Sequence, residues 1–305
     1  LAIVPDGILH YLPFEVLITD SEDPSSYLLK DHTIRYHHSA TLPQRIRAQK
    51  EPTVAYLGFS PGYAKDSNPL LASRSAEDNL IAKDLNKLPM AAQEIRRSAE
   101  IWKGNYFTDS AATEASFKSN ASKAGIIHIA SHAIIDDEEP MRSRLVFSIS
   151  QDSTEDGLLH TYELYNLELN AQLACLSACN TGYGQLRSGE GVVSLAKGFF
   201  YAGVSNIMMS LWSVPDNSTA QIMELFNEEL ETGAGKAEAL RMAKLRYLEQ
   251  ADAYGVEPYH WAAFTLIGDN EPIHSGKKYS SWFIGGAFAL VAFIAFVFYQ
   301  KRSGV

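Results

Sequence analysis

The stretch GIIHIASH, residues 125–132, runs apolar without the alternation of a half-exposed strand, the pattern of a strand buried on both faces of a parallel sheet. Five other runs read the same way: TVAYLGF (53–59), RLVFSI (144–149), QLACLSA (172–178), SNIMMSLWSV (205–214) and AFTLIG (263–268). Helical periodicity fills the intervals. Ile95, Ala99 and Trp102 share a face of AAQEIRRSAEIW, and Val192, Leu195, Ala196 and Phe199 share one in EGVVSLAKGFFYAG, with Gly203 placed to stop that helix. Ile222, Leu225 and Phe226 mark a third helix, and GKAEALRMAKLRYLEQ a fourth. Strands alternating with helices predict an α/β fold, a three-layer α/β/α sandwich with a mostly parallel central sheet. The polar segment 65–87 reads as a surface excursion.

Size and charge narrow the class. A chain of 305 residues, 46% hydrophobic and 20% charged, carries enough apolar mass for one α/β domain of roughly 250 residues. A net charge of -10 without a basic stripe excludes nucleic acid as a general partner. The two cysteines, Cys175 and Cys179, would stand about 13 Å apart along one strand, beyond disulfide reach, which suits a reducing compartment. The opening LAIVPDG reads as the middle of a strand entering a turn, and predicts a chain cut from a longer protein.

The far end carries a different signal. WFIGGAFALVAFIAFVFY, Trp282 to Tyr299, has no charge and would span about 27 Å as a helix, close to the hydrocarbon thickness. Lys277 and Lys278 precede it, Lys301 and Arg302 follow it, and Trp282 and Tyr299 stand at the interfacial positions. The expectation is a domain over 1–270, a linker over 271–281, a single membrane span over 282–300 and a short basic tail over 301–305. The basic flanks are balanced, so charge assigns no orientation.

Two predicted strand ends deliver reactive side chains, GIIHIASH ending in His132 and QLACLSAC ending in Cys179. Ligands bind beyond the carboxyl ends of strands in open α/β sheets, so neighbouring strands would bring an imidazole and a thiol to one rim. That pair can run nucleophilic catalysis: imidazole takes the thiol proton and thiolate attacks a carbonyl carbon. Cys175, inside its apolar run, reads as packing. His128 and His132 stand at the spacing of a helical metal pair, but Gly125 and the β-branched residues favour a strand, where His128 reads as a buried, hydrogen-bonded residue.

Together, HIASHA (128–133), DGLLHTYELYNLEL (156–169), LACLSACNTGYG (173–184), GEGVVSLAKGFFYAGVSNIMMSLWSVPD (189–216) and YHWAAFTLIGD (259–269) resemble the CHAT family, caspase-like cysteine peptidases related to separases. IVPDGILHYLPFEVL (3–17) is similar to the family's N-terminal portion. The resemblance implies a caspase-like fold and a protein or peptide substrate, with Cys179 as nucleophile, His132 as general base and then acid, and no cofactor or metal. The backbone N–H groups of Ala133 and Cys179 would hold the oxyanion. Ala133 stands where the family usually has glycine, and alanine restricts the backbone if a positive φ is needed there. On that substitution rests the alternative reading, a catalytically inactive caspase-like scaffold or interaction module. Asp216 in LWSVPD matches the position of an aspartate that recognises a basic residue before the scissile bond; it equally fits a cap of the following helix. The resemblance further implies an upstream helical-repeat sensor of tetratricopeptide type. A thiolate nucleophile suits a cytoplasmic catalytic domain on a single-pass membrane protein.

Overall fold

Each of the six continuous runs contains a strand in the computed structural model, which describes residues 1–37, 52–63, 88–136, 138–149, 155–177, 179–180 and 190–273. The strands are β1 (Ala2–Ile3), β2 (Arg35–Tyr36), β3 (Val54–Pro61), β4 (Asn105–Asp109), β5 (Ala124–Ile129), β6 (His132–Ile134), β7 (Arg144–Val146), β8 (Leu158–His160), β9 (Leu173–Leu176), β10 (Cys179–Asn180), β11 (Ile207–Ser210) and β12 (Phe264–Ile267). The longer helices among the described residues are α1 (Ala91–Trp102), α2 (Glu114–Asn120), α3 (Glu190–Ala202), α4 (Asp216–Glu231) and α5 (Lys236–Gln250). All described residues belong to one unit, Leu1–Ile273.

The main sheet has the order β1-β2-β12-β11-β9-β5-β3-β4. Its pairs are parallel except β11 with β12, so the prediction of a mostly parallel sheet holds, and AFTLIG is the exception within it. RLVFSI departs further. Its strand β7 lies in a second, four-stranded sheet of order β10-β6-β7-β8, antiparallel to both neighbours.

Side-chain alternation divides the central sheet's contacts between two cores. Leu57, Phe59, Ile127, Ile129, Ala174, Leu176, Ile207 and Met209 face Phe117 of α2 and Leu195, Ala196 and Phe199 of α3, together with Leu145 and Leu159 of the second sheet. Tyr56, Ile126, Leu173, Cys175 and Met208 face Ala99 and Trp102 of α1 and the apolar stripes of α4 and α5. Burial on both faces is why the sequence shows unbroken apolar runs. α3 ends as the sequence foretells: Gly203 takes φ +111°, and a Cβ there would collide with the Leu169 carbonyl oxygen.

The surface excursion over 65–87 and the membrane span over 282–300 lie outside the described residues. Among the described residues no helix is long and apolar enough to cross a membrane.

Candidate active site

Connections leave β3 toward β4 on one side and leave β5 toward β9 and β11 on the other, so the strand order reverses between β3 and β5. In open α/β sheets such a reversal opens a crevice at the carboxyl ends of the strands. Tyr63 follows β3 there, and His132 follows β5.

β5 and β9 are parallel neighbours whose last pair is Ile129 with Leu176. The ladder then stops, and each chain re-enters a sheet three residues later, with Cys179 opposite His132 and Asn180 opposite Ala133 in β10 and β6. Equal steps carry the register across the break. The α-carbons of Cys179 and His132 are therefore direct partners on adjacent strands, which stand about 4.8 Å apart.

His132 is 5% exposed. Its backbone N–H donates to the Tyr63 hydroxyl at 2.9 Å, and that hydroxyl donates to the Val146 carbonyl at 3.1 Å. The Tyr63 ring lies 4.7 Å from the imidazole, centroid to centroid, at 51°. Burial pushes the Tyr63 phenol well above its ordinary range, so it keeps its proton. Tyr63 is a contact that sequence reasoning missed, because a lone tyrosine at a strand end gives no periodic signal.

Ala133 is buried in β6, in the core shared with Leu145. Among the described residues the non-glycines with positive φ are Lys103 and Asp109, so this alanine carries no left-handed strain. The restriction that replacing glycine would impose does not operate here.

Beneath the break in the ladder lies a polar chain that the sequence did not announce. His128 Nδ1 is 2.8 Å from the Tyr56 hydroxyl, and Nε2 is 2.7 Å from Glu94 Oε1. The same Glu94 oxygen accepts the Ser177 hydroxyl at 2.7 Å. Ser98 hydrogen-bonds the Tyr56 hydroxyl, and Asn227 Nδ2 donates to Ser98 Oγ at 3.1 Å. Both ring nitrogens of His128 are thus engaged, as expected of a buried strand histidine, and the metal-pair reading with His132 finds no support in its contacts. Glu94 and Ser98 had a legible signal in retrospect. They sit on the apolar stripe of α1 with Ala91, Ile95, Ala99 and Trp102, where a buried carboxylate is out of place.

Cys175 is fully buried, and burial with the charge of Glu94 pushes its thiol far above the usual range. It is a packing residue. Asp216 is the first residue of α4, yet its carboxylate does not cap that helix. Oδ2 accepts the Met90 N–H at the start of α1, at 2.6 Å, while burial raises its pKa and the Met90 bond opposes the rise. Among the described residues, the group close enough to share a cation is Glu114, Glu155 and Glu163. Lys118 Nζ already stands among them at 2.7, 2.6 and 2.9 Å.

A family model described as the CHAT domain matches residues 1–269. Tetratricopeptide repeat protein 28 of Homo sapiens is 24% identical over 310 residues, covering 90% of this chain and 12% of its own length. The Mus musculus protein of that name is 30% identical over 118 residues, covering 39% of this chain and 5% of its own length. The chain thus spans a small part of the curated relatives it matches. Among solved structures, the Arg specific cysteine proteinase gingipain R aligns with a TM-score of 0.41 at 10% identity, covering 73% of this chain and 50% of its own. The Saccharomyces cerevisiae separase-securin complex aligns with a TM-score of 0.44 at 14% identity, covering 85% and 14%.

Proposed function

The chain belongs to the CHAT-domain family, and from that premise we propose that it is a cysteine endopeptidase using Cys179 as nucleophile and His132 as general base. The observation that carries the reading is the register of β6 and β10, with His132 and Cys179 as direct partners beside a break in the ladder. Imidazole takes the thiol proton, and the thiolate adds to the scissile carbonyl carbon. The oxyanion is received by the backbone N–H groups of Ala133 and Cys179. Collapse expels the amine, which takes the proton from His132, and leaves a thioester. His132 then draws a proton from water, which attacks the thioester and frees the thiol.

Asp216 supplies the preference for a basic residue before the cut. One of its oxygens is engaged by Met90, and a carboxylate has acceptor capacity for a guanidinium or ammonium besides. Residues 282–300 anchor the enzyme in a membrane, with the catalytic domain on the cytoplasmic side. A helical-repeat segment upstream acts as the sensor; the relatives matched here are named for tetratricopeptide repeats.

The test is cleavage of a diverse peptide library by the protein and by its Cys179→Ala variant. Cuts made only by the intact protein, enriched for Arg or Lys before the bond, are expected. Identical products from both proteins would leave a scaffold as the reading.

A further inference from the structure

We propose that Glu94 is a positioning residue for the dyad: one carboxylate oxygen gathers Ser177 and His128, and so fixes the spacing of the two strand exits on which Cys179 and His132 lie. The inference rests on the endopeptidase reading and adds a residue to it. Four observations carry it. Ser177 follows β9 within the interruption of the ladder, between the Ile129–Leu176 pair and the His132–Cys179 pair. Its N–H donates to the Ile129 carbonyl at 3.1 Å, so Ser177 itself spans the gap. His128 is the last residue but one of β5, and Ser177 Oγ is 3.3 Å from its Nε2. Glu94 comes from α1, outside the sheet, and its side chain is 1% exposed.

A buried carboxylate is costly, and an apolar side chain would fill the stripe of α1 at lower cost. What the carboxylate adds is directional. Apolar packing permits sliding, whereas two hydrogen bonds of 2.7 Å on one oxygen tie two strands to a common point. A misplacement of about 1 Å at a catalytic pair can cost on the order of a hundredfold in rate. The other titratable groups that feel Glu94 are Tyr56, Cys175 and Asp216, none of which bridges the two exits.

The test is iodoacetamide labelling of the full chain across pH, with both cysteines followed by mass spectrometry. Buried Cys175 reports unfolding, and Cys179 reports the dyad. In the intact protein Cys179 reacts fast near neutral pH, and His132→Ala slows it. Glu94→Gln is expected to slow Cys179 at least tenfold and move its pH midpoint toward the free-thiol value of about 8.5, with Cys175 still protected. Ser177→Ala leaves the Glu94–His128 contact in place and should slow Cys179 about threefold or more, while Ser177→Thr restores the rate. If Glu94→Gln exposes Cys175, the Ser177 pair decides. Intact-protein rates and midpoints in these variants, alongside a slow His132→Ala, overturn the role of Glu94 alone. A Cys179 that reacts as a free thiol regardless of His132 overturns the dyad and this inference together.

Discussion

At the scale of single residues, the local environment of His132 is set by a tyrosine from the segment that follows β3. The Tyr63 hydroxyl serves two backbone groups, accepting from His132 and donating to Val146, so it joins the end of β3 to β6 and β7. Tyr63→Phe keeps the ring contact and leaves the hydroxyl's partners without it. A buried polar group stripped of its partner costs about 1–3 kcal/mol, and urea unfolding of the variant should show a loss in that range. Stability equal to the intact protein would mean that the hydroxyl holds neither group. At this scale the sequence spoke unevenly. His132 and Cys179 stand out as candidates in the sequence because each ends an apolar run that favours a strand, whereas Tyr63 and Ser177 take their meaning from strands that are distant in the chain.

At the scale of elements, the second sheet is held at its outer edge by charge. Glu114 of α2 accepts the Gly157 N–H just before β8, and Glu163 accepts the His160 N–H at its end. Lys118 bonds Glu114, Glu155 and Glu163, three carboxylates around one ammonium. Burial, reinforced by the charges of Glu163 and Glu155 and opposed by Lys118, raises the Glu114 carboxyl to about 7 from 4.5. A folded state that binds the proton more tightly than the unfolded one loses stability as pH rises between those two values. Lys118 is itself held protonated above its ordinary pKa, so its contribution is constant over that window. Glu114→Gln lacks the titration. Measured by urea unfolding from pH 5 to pH 7.5, the variant's stability relative to the intact protein should climb by on the order of 2 kcal/mol. A flat difference would refute the raised carboxyl. This edge also shows what the sequence hid: β8 has three residues and β10 two, too few for periodicity to register, and β4 is a half-exposed edge strand, NYFTD, without an apolar run. The long runs of β3, β5, β9 and β11 were legible because two helical layers bury both their faces.

At the scale of the whole molecule, the unit that contains His132 and Cys179 closes within Leu1–Ile273. β1 pairs with β2, and β2 pairs with β12, so the beginning of the chain and the last strand share one sheet. Beyond β12 the chain is tied back once more: Lys236 pairs with Asp269 at 2.7 Å, and Asn270 accepts the Ala237 N–H at 2.7 Å at the start of α5. Among the described residues, both cores lie inside those bounds. A fragment ending at Ile273 keeps every core residue named above and is expected to melt within a few degrees of the 305-residue chain. The proposed anchor separates the two proteins in a different measurement. Eighteen uncharged residues, with Trp282 and Tyr299 at their two ends and basic pairs beyond, should carry the full chain to the top of a flotation gradient with lipid vesicles and keep it there through alkaline extraction, while the fragment stays in the aqueous layer. A 305-residue chain that sediments free of vesicles would remove the anchor from the proposal and leave the site untouched, because every residue assigned to the chemistry precedes Asp269.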